Sequence, residues 1–155
     1  MANDALLWLF VIFGGIAVGA GLYEMRINVP RWFAPHSPTP VDISALQADD
    51  PGRRFWAFVT TAPLTLLTLS GILVAWNPQT ARDQWWLAAA GLMLVERIGT
   101  FAYFIPQLLH LLQPERLTRE RARKAATRWI RLNYLRGAVA FIAWLAALRA
   151  LSVSN

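Results

Sequence analysis

WWLAAAGLMLVERIGTFAYFI, residues 85–105, is an apolar run broken by one adjacent ionisable pair, Glu96 and Arg97. A helix of this length crosses the roughly 30 Å hydrocarbon core of a bilayer. Ionised groups at bilayer depth are costly, and they face a protein interior or a water-filled cavity rather than lipid. The stretch therefore predicts a membrane helix within a bundle and marks where a polar site lies inside it.

The rest of the chain supports that class. Of its 155 residues 56% are hydrophobic, 8 are Trp, and the mean hydropathy is +0.37. A water-soluble domain of this length does not carry so much apolar surface. No cysteine is present, so disulfides, thiolate catalysis and Cys-ligated zinc or iron–sulfur clusters are excluded. The net charge of +6 comes from Arg far more than Lys. The basic residues cluster between hydrophobic runs, which is the pattern of membrane topology and not of a nucleic-acid binder.

Four spans are predicted, at about 5–25, 54–76, 85–106 and 128–150, separated by long connections at 26–53 and 107–127. The first carries Gly15 and Gly19 at GxxxG spacing, with Gly14 and Gly21 beside them, which permits close helix approach. The second holds Pro63 near its start. Thr60, Thr61, Thr65, Thr68 and Ser70 are placed to bond back to its backbone and ease a kink. The third breaks or kinks at Pro106. Residues 114–128 are rich in Arg and read as a helix running straight into the fourth span, so the last helix projects from the membrane. The Pro-rich connection 29–52 reads either as a lid over one end of the bundle or as a solvated linker. No internal repeat is visible. The expected fold is all-α, a single four-helix membrane bundle with a long cytoplasmic extension of the last helix.

Orientation follows from the Arg-rich connections, which fall on one side and predict that side to be cytoplasmic. Both termini are then outside, and a bacterial inner membrane is the expected location. Trp32, Trp56 and Trp129 would mark the inner interface, and Trp8, Trp76, Trp85 and Trp86 the outer one.

Helical phase assembles a constellation in the cytoplasmic half. Glu96, Thr100 and Tyr103 stand at i, i+4 and i+7 on the third span, and Trp129, Asn133 and Arg136 repeat that spacing on the fourth. Turned toward each other, these faces bring Glu96 to Arg136, with Asn133 and Tyr103 as hydrogen-bonding partners. Arg97 points about 100° away from Glu96, toward Glu24 at the inner end of the first span, where Asn28 also lies. A bland reading stands beside this one, since buried ion pairs often do no more than fix helix register. Arg131 reads as an interfacial residue that snorkels. His36 and His110 are an alternative ligand pair for haem or, with Glu24 or Glu96, for a metal, although they lack helical spacing.

Two short segments carry a family resemblance. Residues 23–30 read YEMRINVP, with Asn28 and Pro30 in an N-x-P arrangement, and 129–136 read WIRLNYLR, a W-x-x-x-N-x-x-R pattern of Trp129, Asn133 and Arg136. In these motifs and in its span pattern the chain resembles the small four-helix membrane proteins that include the anthrone oxygenases. The middle of the chain adds no matching motif. The resemblance implies oxygenation of a polycyclic phenolic substrate without an obvious bound cofactor.

The function expected first is a membrane-embedded enzyme for a lipophilic, aromatic substrate. Arg136 and Asn133 would hold a phenolate oxygen, Glu96 or Glu24 would be the general base, and Tyr103, Trp129 and Phe101 or Phe104 would stack on the substrate. Asn28 and Arg97 complete the expected binding set. The alternatives are a small transporter using Glu96, which at four helices needs a homodimer; a haem or metal electron carrier; and a structural subunit whose basic helix meets a partner or anionic lipid. The expected partners are the bilayer and a lipophilic small molecule, with no nucleic acid; the cofactor stays open.

Overall fold

The computed structural model describes residues 2–33, 41–48, 55–113 and 118–153. The described residues are predominantly helical, without a strand, and form a bundle of four helices long and apolar enough to cross a membrane: Ala2–Trp32, Trp56–Val74, Ala81–Leu111 and Arg119–Ser152. The all-α, four-span reading holds, and the chain is an integral membrane protein. The third and fourth spans share the most extensive contact, and contacts of fourth with first, first with second and second with third close the ring. Large side chains such as Phe58, Leu66, Leu73 and Ile142 are left exposed on its outside, as a lipid-facing surface requires.

Local signals set the helix starts. Thr80 and Asp83 form a reciprocal capping box, each side chain accepting the other's backbone N–H at 3.2 Å, and this opens the third span. Thr118 is extended and accepts the N–H of Arg121 at 3.4 Å, so the 34-residue fourth helix opens at Arg119 and not at the expected residue 114; from there it runs unbroken from its basic turns into the span, as expected.

The three other long helices share a feature that periodicity does not announce. Among the described residues, Glu24–Asn28, Trp56–Thr61 and Thr100–Phe104 are π-helical, and each ends two residues before a proline: Pro30, Pro63 and Pro106. Proline lacks the N–H that an α-helix needs, and its ring crowds the carbonyl four residues back. Widening the preceding turn to i→i+5 bonds relieves that clash without ending the helix. In the second span the expected Thr back-bonds help: Thr60, Thr65 and Thr68 donate to the carbonyls of Trp56, Thr61 and Leu64 at 2.9, 2.6 and 2.6 Å. The first helix thus continues through residues 24–32 instead of stopping near 25. It reaches about 46 Å in length, beyond the bilayer core.

Two apolar clusters hold the bundle. The one remote from the Arg-rich segment joins Leu7, Phe10, Leu64, Trp86 and Met93 to Ala143, Ala147 and Ala150. Its small residues permit the close approach that drives packing in lipid. Gly14 and Gly15 seat the indole of Trp144, whose Nε1 donates to the Val11 carbonyl at 3.0 Å. Gly19 and Gly21 face open space, so the close contact uses adjacent glycines and not the GxxxG pair. Gly71 lies against Trp86, where a Cβ would come within 2.8 Å of Nε1. Trp86 is therefore a core residue and not an interfacial anchor. Trp32 and Trp129 are likewise buried, whereas Trp8, Trp76 and Trp85 are exposed. At the same remote end, Arg82 bonds Asp4 at 2.6 Å and ties the third span to the first.

The second cluster caps the basic end with Met25, Trp32, Phe33, Phe104, Leu111 and Trp129, together with Val41 and Leu46 from the connection after the first span. Within that connection Asp42 accepts Ser44 Oγ at 2.6 Å and Ala45 N–H at 3.0 Å, which starts the short helix Ile43–Ala48. The described part of the connection is thus packed onto the bundle end, in the manner of the lid.

Candidate functional site

Between the two apolar clusters lies a buried polar layer of Glu96, Arg97, Thr100 and Asn133, with Arg136 four-fifths buried beside it. Two of the π turns meet this layer: Met25, in contact with Asn133, lies in one and Thr100 in the other. π-helical turns inside α-helices occur frequently at functional sites.

Glu96 is the hub. Its Oε2 accepts Arg97 Nε at 2.5 Å and its Oε1 accepts Thr100 Oγ1 at 2.9 Å. Arg136 Nη1 donates to Thr100 Oγ1 at 3.2 Å, and Arg136 Nε lies 3.8 Å from Glu96 Oε1. The expected meeting of Glu96 and Arg136 across two spans occurs, with Thr100 relaying it. Phase pointed Arg97 away from Glu96, yet its side chain turns back onto that carboxylate. Glu96 is thus shared by two guanidinium groups, those of Arg97 and Arg136. Glu24 and Asn28 are half-buried in the first π turn.

The aromatic wall differs from expectation by one residue. Arg136 sits over the ring of Phe104, 4.7 Å from its centroid, and Phe104 packs edge-on against both Tyr103 and Trp129. Trp129 Nε1 donates to the Phe104 carbonyl at 3.2 Å. Strict α-phase put Tyr103 on the face of Glu96. A π turn adds one residue to the helical revolution, and a residue is worth about 100°, so Phe104 takes that place. Tyr103 is displaced sideways, where Arg128 covers its ring at 5.7 Å. Phe101, expected to stack on a substrate, is half exposed on the outside of the bundle.

Asn133 is 2% exposed. Its Nδ2 meets Met25 Sδ at 2.6 Å, and its Oδ1 has no hydrogen-bond partner among the described residues. Exchanging the amide's O and N leaves one of the two unpaired all the same. An unpaired buried amide group costs roughly 1–3 kcal/mol. Arg136, with five N–H donors, makes one hydrogen bond among the described residues. The layer therefore offers an acceptor and several donors on one face of the fourth span, three residues apart.

Met25 is the functional candidate that the sequence did not single out, since its place depends on the first π turn and on tertiary contact with Asn133. Thr100 was legible as the residue one turn after Glu96, and of the two alternatives Phe101 and Phe104 the structure brings Phe104 to the site. Of the alternative ligand pair, His110 is exposed and His36 lies outside the described residues. Among the described residues no group of three or more His, Asp or Glu side chains is gathered to hold a metal ion. No known family profile, curated protein or solved structure matches the chain.

Proposed function

We propose that the chain is a membrane-embedded enzyme that binds a lipophilic phenolic compound at the polar layer and promotes its oxygenation. The observation that carries the reading is the open hydrogen-bonding capacity of Asn133 and Arg136 in a buried layer. Arg136 takes the phenolate oxygen, where a guanidinium is worth most at low dielectric. Asn133 pairs with a second hydroxyl, and the aromatic body lies against Phe104 and Trp129.

Glu96 is held by Arg97 and Thr100, which makes it the group that positions Arg136. Glu24, half-buried in the first π turn beside Met25, is the base of the reading. It removes a proton from the activated ring CH2. The resulting carbanion passes electrons to O2 and forms a C–O bond to it. Loss of water from the hydroperoxide leaves the quinone carbonyl, so one O2 converts a CH2 to C=O and releases one H2O.

The test uses the full chain in lipid nanodiscs with a dihydroxyanthrone as probe, following O2 uptake and quinone absorbance together. Arg136→Gln and Asn133→Leu reduce turnover to the uncatalysed rate, and Glu24→Gln lowers kcat more than KM. Wild-type turnover by Arg136→Gln removes the reading. Probe movement across proteoliposomes without chemical change favours the transporter instead. The basic end is placed in the cytoplasm by its arginines, with both termini outside; reporter fusions to each terminus check it.

A further inference from the structure

We infer that the outward face of the fourth helix, where it enters the bundle, is a binding site for the phosphate headgroup of an anionic glycerophospholipid. A groove of about 540 Å³ lies there, lined by Glu120, Arg123, Lys124, Thr127, Arg128, Arg131 and Leu132. It is separate from the polar layer around Glu96 and does not depend on the proposed reaction.

Three observations carry the assignment. The first is charge. Residues 119–131 hold six cationic side chains and one acid, Glu120, which is occupied by Lys124 at 2.7 Å. Among the described residues no carboxylate pairs with Arg123, Arg128 or Arg131. A stripe of guanidinium groups with a hydroxyl, Thr127, among them matches the geometry of a phosphate diester.

The second is placement. Arg128 lies over the Tyr103 ring, 5.7 Å from its centroid, which anchors one wall of the groove to the third span. The lining comes from the fourth helix alone, and this one contact holds its Arg128 against the third span.

The third is the change of polarity along one stripe. Lys124, Arg128 and Arg131 follow at i, i+4 and i+7, and Leu135 continues the stripe one turn on. Leu132 floors the groove, while Leu135 and its neighbour Tyr134 are more than half exposed. Cations followed by lipid-facing apolar surface fit an amphiphile whose phosphate precedes its acyl chains. A free phosphate makes no use of the apolar half.

The experiment is native mass spectrometry of the detergent-solubilised full chain with added phosphatidylglycerol or phosphatidylcholine at equal concentration. Phosphatidylglycerol is expected to bind in preference to phosphatidylcholine. A basic residue near an anionic lipid surface contributes about 1 kcal/mol, or about fivefold. Arg128→Gln/Arg131→Gln is then expected to weaken phosphatidylglycerol binding by roughly 25-fold. The control pair Arg119→Gln/Arg121→Gln removes equal charge about 14 Å away along the helix and leaves binding within about twofold. Equal loss in both pairs overturns the site in favour of bulk charge. Equal binding of the two lipids, or displacement of phosphatidylglycerol by excess inorganic phosphate, also overturns it. If circular dichroism shows the groove pair misfolded, Arg131→Gln alone replaces it, with about a fivefold loss expected and no loss refuting the site.

Discussion

Replacing Glu96 by Gln tests whether the buried layer is held by ionisation. The carboxylate accepts from Arg97 and Thr100 and neutralises part of the charge on Arg97 and Arg136. Gln keeps the volume but removes the charge and one acceptor, and its amide N–H then faces either the Arg97 N–H or the Thr100 hydroxyl. If Glu96 contributes only as an ordinary hydrogen-bonding group in a membrane, the one lost bond costs about 0.6 kcal/mol. If it compensates two buried guanidinium groups, its loss leaves uncompensated charge and costs about 3–5 kcal/mol. Arg97 is 9% and Glu96 3% exposed at the side chain, which favours the larger figure. The assay is reversible unfolding in mixed micelles of rising SDS content, read by Trp fluorescence. A second variant sharpens it: Glu96, Arg97 and Arg136 all replaced by Met removes the charges together, and such replacement is often neutral or stabilising. The expected pattern is a large loss for Glu96→Gln with recovery in the triple variant. A loss of about 0.6 kcal/mol for Glu96→Gln would refute the ionic account of the layer.

Gly71→Ala forces a Cβ to within 2.8 Å of the Trp86 indole and is expected to cost about 1–3 kcal/mol in the same assay, while Gly19→Ala, facing open space, stays within about 0.5 kcal/mol. Pro106→Ala removes the reason for the third π turn. The chain lacks cysteine, so Tyr103→Cys and Phe104→Cys report the phase by maleimide labelling: position 104 is expected to be protected with Pro106 present and to exchange protection with 103 when it is absent. An unchanged labelling pattern removes the proline as cause of the turn. The hydrogen bond from Ser44, followed by that from the Ala45 amide, holds the Asp42 carboxyl below its ordinary value of 3.8. Its contribution is therefore complete above that value and lost as pH falls through the lower folded one. Hydrogen exchange over Ile43–Ala48 is expected to accelerate in that acid window, and Asp42→Asn is expected to abolish the pH dependence.

The amino-acid sequence by itself determined the class, the four spans, the projecting last helix and the level of the polar layer. The reason is that a bilayer imposes length and polarity rules residue by residue, which a reader can apply without knowing any neighbour. Phase along two helices was also enough to bring Glu96 toward Arg136. Tertiary structure decided the rest. The π turns before Pro30, Pro63 and Pro106 moved the facing position from Tyr103 to Phe104, because one added residue shifts everything beyond it by about 100°. Prolines announce such turns, but not whether a helix widens, kinks or ends. Which glycines seat a tryptophan, and which tryptophans are core and not interface, depended on the partner helix: Gly14 and Gly15 are used because Trp144 is opposite them, and Trp86 is buried because Gly71 makes room. The unpaired amide of Asn133 is likewise a property of what surrounds it, since satisfaction of a polar group is fixed by atoms from other spans and by no feature of its own segment.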